Sequence, residues 1–148
     1  MRLLLDKIEQ LNIGWNERRL DESDLYELCG RFNVVVDELP LTTAGFYYRV
    51  MGRDFIAVNS RLTGAERLAV MFHEFAHFLF HTADSAPAAE FHHVGRRTRK
   101  ECEADVFAAC AVLPRPLLEN RTIEDLLEDG YPADLVNERF RILDLYGI

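Results

Sequence analysis

The feature that most constrains this chain is a pair of histidines four residues apart inside its longest apolar run. The run covers residues 68–80 and reads LAVMFHEFAHFLF, with Glu74 directly after His73 and with His77 ending the motif. We predict a helix here, since residues four apart on a helix share one face, about 6 Å apart along the axis. Such a helix must bury two imidazoles and a carboxylate among apolar side chains, which is costly unless partners satisfy them.

A metal ion is the partner that this motif predicts. His73 and His77 can direct two imidazoles at one ion, and Glu74 beside them can reach a water molecule at that ion and act as a general base. The alternative is a set of polar core residues that form hydrogen bonds with their neighbours. Two histidines at this spacing with a glutamate between them favour the metal site.

The bulk properties narrow the other possibilities. A chain of 148 residues suits one domain, and its net charge of -8 and pI near 5.1 argue against nonspecific binding to DNA or to an anionic membrane. The three cysteines form no Cys-x-x-Cys pair, which favours a reducing, cytoplasmic location. We expect no signal peptide and no membrane span, because charged residues interrupt every apolar stretch before about eighteen residues.

Helical and alternating patterns predict two helices and three strands before the motif. Asp21 is expected to cap the second helix and Gly30 to end it, and Gly52-Arg53 is expected to form a hairpin turn. The predicted helices cover about 2–11 and 21–30, and the predicted strands about 32–36, 46–51 and 54–58.

After the sheet the chain is predicted to be helical except for one loop. Thr63 and Glu66 form a capping-box pattern that starts the motif helix near residue 64. Pro114 and Pro116 are expected to end the next helix. The predicted segments are the motif helix to about 81, a loop over 82–95, and helices over about 97–113, 122–129 and 133–146.

A catalytic zinc has three protein ligands and one open position, so a third ligand is expected beyond the two histidines. The helix after the loop carries Glu101 and Asp105 on one face, and an antiparallel return would bring that face alongside the motif. We predict Glu101 as the third ligand. Asp105 is predicted to accept the outer N–H of a ligating histidine and so to fix its tautomer.

Two alternatives remain open at this position. Thr98 and Glu101 form a Thr-x-x-Glu pattern, so Glu101 could serve only to cap its own helix. Glu103 is a rival ligand, although it projects from another side of the helix, beside Phe107. The face that Glu101 shares with Asp105 favours Glu101.

The two blocks together resemble the ImmA/IrrE family of bacterial and phage metallopeptidases. The blocks are residues 69–81, AVMFHEFAHFLFH, and residues 101–114, ECEADVFAACAVLP. The pairing of His-Glu-x-x-His with a downstream Glu-x-x-x-Asp is similar to the thermolysin-like gluzincins. The resemblance covers roughly residues 20–146. It implies three zinc ligands and one base, namely His73, His77 and Glu101, and Glu74.

The elements and the resemblance together imply an α+β fold. A small three-stranded antiparallel or mixed sheet is expected to pack on a zincin-type helical core, which consists of the motif helix and the Glu101 helix and is followed by C-terminal helices. We expect a single metallopeptidase domain over 1–148. Its parts would be N-terminal helices and sheet in 1–60, zinc-site helices in 63–114 and a C-terminal helical tail in 115–148.

The resemblance also implies a function. A zinc-dependent endopeptidase would hydrolyse a peptide bond in a regulatory protein, expected to be a helix-turn-helix repressor in stress or phage and mobile-element regulation. The alternative is a zinc-stabilised binding module that sequesters a repressor or an antitoxin without cleaving it. The base Glu74 favours the enzyme, and direct nucleic-acid binding is disfavoured by the charge. Some family members have an added N-terminal DNA-binding segment, which this chain is expected to lack. A His₂Glu site suits zinc, although manganese, iron or nickel can also bind one.

Several further residues are secondary candidates for roles in substrate binding or catalysis. Tyr47, Tyr48, His92 and His93 are candidates for a second oxyanion donor, each with a structural role as the favoured alternative. Residues 55–58 could bind an extended substrate by strand addition, unless they form an ordinary core strand.

Other polar residues near the motif have simpler interpretations. His81 is either an alternative ligand or, as we favour, a solvated helix end. Cys102 is interpreted as a packing residue. A basic cluster could bind an acidic segment of a partner, but a solvated loop is favoured. The cluster comprises Arg96, Arg97, Arg99 and Lys100.

Overall fold

A computed structural model describes residues 1–81 and 98–148 of the chain. The predicted loop over 82–95, together with Arg96, Arg97, His92 and His93, lies outside the described residues. The helices are α1 (Arg2–Glu9), α2 (Glu22–Phe32), α3 (Gly64–His81), α4 (Arg99–Val112), α5 (Arg115–Leu118), α6 (Ile123–Glu128) and α7 (Ala133–Tyr146). The strands are β1 (Val34–Leu39), β2 (Gly45–Val50) and β3 (Arg53–Asn59).

The three strands form one mixed sheet in the order β1-β3-β2. β3 is central: it pairs in parallel with β1 and antiparallel with β2. The α+β class and the three-stranded mixed sheet confirm the predicted fold. The suggestion that residues 55–58 bind substrate by strand addition is wrong, because a strand paired on both sides has no free edge. Its side chains Ile56 and Val58 are fully buried in the core.

Two predicted boundaries were wrong for local backbone reasons. α2 runs past Gly30 to Phe32 and ends at Asn33, which adopts the left-handed conformation (φ 59°) that asparagine tolerates better than most residues. β1 therefore starts at Val34 and not at Phe32. At the other end of the helix the prediction was right, since the Asp21 side chain accepts a hydrogen bond from the Asp24 N–H.

The hairpin turn between β2 and β3 is one residue earlier than predicted. The register pairs Val50 with Arg53, so the two-residue loop is Met51-Gly52. Both loop residues have positive φ, 50° and 77°, which is the type I′ geometry that matches the twist of the strands. Arg53 is the first residue of β3.

The core is centred on α3, which packs on α4 on one side and on β3 and β2 on the other. Phe72 and Phe75 of α3 pack against Phe107 of α4. Their ring centroids lie 6.0 and 6.2 Å, respectively, from the ring centroid of Phe107. Trp15 donates a hydrogen bond from Nε1 to the Phe107 carbonyl at 2.9 Å. This aromatic cluster fixes the two helices against each other. In the described residues, no helix is long and apolar enough to cross a membrane.

The last helix is fastened to the core by a buried arginine. Arg139 of α7 is 0% exposed and donates hydrogen bonds to the carbonyl of Leu113 (2.5 Å), the carbonyl of Ile148 (2.9 Å) and Oδ1 of Asn16 (3.0 Å). The guanidinium thus joins the end of α4, the end of the described chain and an N-terminal turn. Short α5, beginning after Pro114, was not predicted.

A close approach between sheet and motif helix occurs at Gly45. A Cβ atom there would lie 2.6 Å from the Ala57 carbonyl oxygen, 2.8 Å from Val70 Cγ1 and 3.5 Å from Glu74 Cγ. Both shorter distances are below van der Waals contact. The absence of a side chain at this position is therefore what lets β2 lie directly against α3.

We expect Gly45→Ala to destabilise the protein by about 1–3 kcal/mol, the usual cost of overpacking a tight core. Urea unfolding followed by circular dichroism measures it. Gly30→Ala is the matched control, because a Cβ at Gly30 meets nothing within 4 Å and alanine favours the α2 helix. Equal or greater stability of Gly45→Ala relative to the wild type would contradict the close approach.

Candidate metal centre

The site lies where the polar face of α3 meets α4. His73 and His77 are one turn apart on α3, as their spacing predicts. The facing surface of α4 carries the small buried residues Ala104 and Ala108, which allow the two helices to approach closely. This approach brings the first turn of α4 within reach of both histidines.

The carboxylate of Glu101 bridges the two imidazoles. Its Oε2 lies 3.1 Å from His73 Nε2, and its Oε1 lies 2.9 Å from His77 Nε2. The two Nε2 atoms are 3.2 Å from each other. One ligand atom from each of the three residues falls within 4.8 Å of the others, so this group could hold a metal ion.

The donor set and its spacing fit zinc. Two imidazole nitrogens and one carboxylate oxygen are the ligands of many catalytic zinc sites. Ligands at about 2.0–2.1 Å around a tetrahedral ion are about 3.3 Å apart, close to the separations of 2.9 to 3.2 Å found here. Small side-chain movements would therefore suffice to admit the ion.

Glu74 lies beside the donors without joining them. Its Oε1 is 4.0 Å from His73 Nε2, and the residue is only 3% exposed. A carboxylate in this position can reach a small molecule placed between the donors and the solvent. That is the location that the motif predicts for a general base.

Asp105 contacts the Nδ1 side of the His73 ring. Its Oδ1 lies 2.9 Å from His73 Nδ1, one turn of α4 beyond Glu101. The carboxylate favours a proton on Nδ1 and so leaves Nε2 to face the other donors. Thr98 does cap α4, with Oγ1 accepting from the Glu101 N–H at 3.2 Å, but the Glu101 side chain points to the histidines.

Glu103 and His81 form a second contact further along the same helix pair. His81 Nδ1 is 3.0 Å from His77 Nδ1, and His81 Nε2 is 3.0 Å from Glu103 Oε2. His81 is 5% exposed, so its interpretation as a solvated helix end was wrong. The reason is that α4 covers the last turn of α3. Glu103 contacts His81, and Arg99 of the basic cluster donates to Glu103 at 2.9 Å.

The charges of the cluster are set by these contacts. Burial lowers the pKa of His73, but hydrogen bonds to Asp105 and Glu101 outweigh it and raise that pKa to about 10. Burial would raise the pKa of Glu101, yet the two imidazoles hold it well below its usual range. For His81, burial prevails over Glu103 and lowers the pKa. His73 and Glu101 thus stabilise each other's charged forms.

The two tyrosine candidates for an oxyanion donor have their hydroxyls engaged elsewhere. Tyr47 donates to Asp54 Oδ1 at 2.5 Å and Tyr48 donates to Asp37 Oδ2 at 3.2 Å, both on the sheet. Cys102 is half-buried, and all three cysteines are free thiols.

A cleft opens beside His73 and Glu74, and its far wall was not foreseen from the sequence. The cleft has a volume of about 560 Å³. Ala44, the residue just before β2, forms one edge of it, and the N-terminal half of α7 forms another. No local motif marks these residues, because only the tertiary fold brings α7 opposite α3. The wall from α7 and the turn before it comprises Pro132, Ala133, Asp134, Leu135 and Glu138.

Comparison with known proteins identifies the family. The chain matches the IrrE N-terminal-like domain, a peptidase family, over residues 29–142. The chain belongs to this family. Its members are metallopeptidases, and the resemblance inferred from the sequence is thereby confirmed. The chain is also 28% identical, over 128 residues and 81% of each chain, to a Bacillus phage phi105 protein described as uncharacterized immunity region protein 2. No solved structure matches the chain.

We expect elemental analysis after loading with zinc and desalting to find about one metal ion per chain, and to find it lost in His77→Ala and Glu101→Ala. Glu27→Ala is the matched control, since Glu27 is an exposed glutamate of α2 that contacts Arg31 and none of the three donors. Loss of metal from Glu103→Ala together with its retention in Glu101→Ala would reverse the choice between the two glutamates.

Proposed function

We propose that the chain is a zinc-dependent endopeptidase, with His73, His77 and Glu101 as zinc ligands and Glu74 as the general base. The observation that carries the proposal is the position of Glu74. It is a buried carboxylate that adjoins three converging metal donors and lines an open cleft. A site that only stabilised the fold would need the three donors but no such neighbour.

The proposed chemistry is hydrolysis of a peptide bond. Zinc, when bound, supplies a Lewis acid that polarises the scissile carbonyl and lowers the pKa of water toward about 7. Glu74 accepts a proton from the attacking water while the water oxygen bonds to the carbonyl carbon. It then gives this proton to the amine nitrogen as the C–N bond breaks. Asp105 keeps the His73 ring in its tautomer and orientation throughout.

The substrate is proposed to lie in the cleft as an extended segment. The strand order leaves β2 at one edge of the sheet, and the chain at the start of this strand lines the cleft through Ala44. Gly45 lies against Glu74, so the start of β2 is close to the reacting groups. Main-chain hydrogen bonds to an edge strand are a common way to hold an extended peptide. β2 thus replaces β3 as the strand that would align the substrate.

The substrate class is proposed to be a regulatory protein, specifically a helix-turn-helix repressor. The similarity to a phage protein described by its immunity region supports a role in repressor control. The acidic charge of the chain supports contact with a protein rather than directly with nucleic acid. The whole of 1–148 is proposed to act as one metallopeptidase domain.

We expect Glu74→Gln to lower kcat by about 10²–10⁴-fold while zinc content stays near one per chain, because glutamine cannot accept the proton and the donors are untouched. The assay incubates zinc-loaded protein with a proteome-derived peptide library and identifies new N-termini by mass spectrometry. Glu119→Gln, an exposed change outside the cleft, is the control.

The outcomes separate the two functions weighed from the sequence. Cleavage by the wild type that Glu74→Gln retains in full would overturn the role of Glu74. A zinc-loaded wild type that cuts neither the library nor any purified repressor bound to it would favour the non-cleaving binding module.

A further inference from the structure

A series of hydrogen-bonding side chains continues from His77 away from the cleft. His77 Nδ1 lies 3.0 Å from His81 Nδ1, His81 Nε2 lies 3.0 Å from Glu103 Oε2, and Glu103 Oε1 lies 2.9 Å from Arg99 Nε. The side chains of His77, His81 and Glu103 are 7%, 6% and 17% exposed. This series of side chains therefore leads from the buried donor cluster to the surface of α4, where Arg99 is exposed.

The proposed zinc site determines which group donates and which accepts in the hydrogen bonds from His77 to His81 and from His81 to Glu103. If His77 binds the metal through Nε2, the only hydrogen on its neutral ring is on Nδ1. Since Nδ1 of His77 donates, Nδ1 of His81 must accept. The hydrogen of His81 is then on Nε2, which faces the Glu103 carboxylate. In this arrangement each donor of His77 and His81 faces an acceptor on the next residue, so the hydrogen bonds require no further partner.

We propose that His81 and Glu103 are positioning residues for the metal site: they fix the tautomer and ring orientation of His77, as Asp105 does for His73. The inference rests on the proposed zinc site and adds to it two residues that the ligand set does not include. The two histidine ligands differ in the way they are held. Nδ1 of His73 contacts a carboxylate directly, whereas Nδ1 of His77 contacts one through an intervening imidazole.

The position of His81 argues for this role over simple packing. His81 is four residues after His77 on α3, so its ring lies beside that of His77 on the same face, with the ring centroids 5.1 Å apart. A methionine or a phenylalanine would serve there if the side chain only filled space. An imidazole instead brings a polar atom into the interior, and both of its nitrogens have partners.

The test measures the zinc dissociation constant by competition with a chelator of known affinity. Loss of a group that orients a histidine ligand typically weakens metal binding by about 10–100-fold, and we expect a loss of this size in His81→Phe. His81→Asn should recover part of it, since its amide oxygen can accept from His77 Nδ1. Glu103→Gln keeps an acceptor without the charge and should give a smaller loss.

Glu27→Gln is the matched control for Glu103→Gln. Glu27 of α2 also pairs with an arginine four residues away on its helix, Arg31, but it contacts none of the donors. Its zinc affinity should equal that of the wild type. Thermal unfolding of the metal-free variants shows whether each one is folded.

A second readout does not depend on affinity. In the zinc-loaded wild type, ¹⁵N-detected imidazole spectra should show the proton of His77 on Nδ1 and that of His81 on Nε2. A proton on His81 Nδ1 would overturn the proposal.

Unchanged zinc affinity in a folded His81→Phe would also overturn the proposal, and would leave the zinc site itself intact. Failure of the wild type to bind zinc would instead overturn the metal site and, with it, this inference. If His81→Phe does not fold, the comparison of Glu103→Gln and His81→Asn with the wild type decides, because equal affinities in all three contradict the positioning role.

Discussion

The arrangement of this molecule depends on satisfying a group of polar side chains that α3 and α4 bury between them. Imidazoles and carboxylates in a low-dielectric interior are costly unless each finds a partner. Among the described residues, no buried side-chain nitrogen or oxygen lacks a hydrogen-bond partner. Many of the partners come from the opposite helix, so these contacts favour the register of α3 and α4 that brings Glu101 to both His73 and His77. The site and the fold are therefore specified by the same contacts.

The sheet serves this helix pair more than it forms a core of its own. Its central strand is buried against α3, and Gly45 lets the edge strand lie close to the polar face of the same helix. The buried metal donors therefore lie beside an extended backbone segment. A helix pair alone would hold the donors, but it would offer no edge along which a peptide could align.

The sequence was most informative where one local rule decided the structure. The spacing of His73 and His77 and the capping pattern at Asp21 led directly to the observed helices, and the shared face of Glu101 and Asp105 led to their contacts with the histidines. Predictions failed where the structure was decided by backbone conformation or by burial under a distant element. A left-handed Asn33 moved one boundary, and positive φ at Met51 moved the hairpin turn. The burial of His81 depends on α4, which no pattern around residue 81 encodes.

Arg139 holds one wall of the cleft through hydrogen bonds that do not involve the candidate metal site. α3 and α4 carry the side chains of the candidate metal site and Glu74, while α7 forms the opposite wall and is held by a buried guanidinium at Leu113, Ile148 and Asn16. Changes to the exposed side chains of α7 would alter the width and polarity of the cleft without reaching the donors. Sequence variation in α7 could therefore reshape the cleft while the side chains of the candidate metal site stay the same.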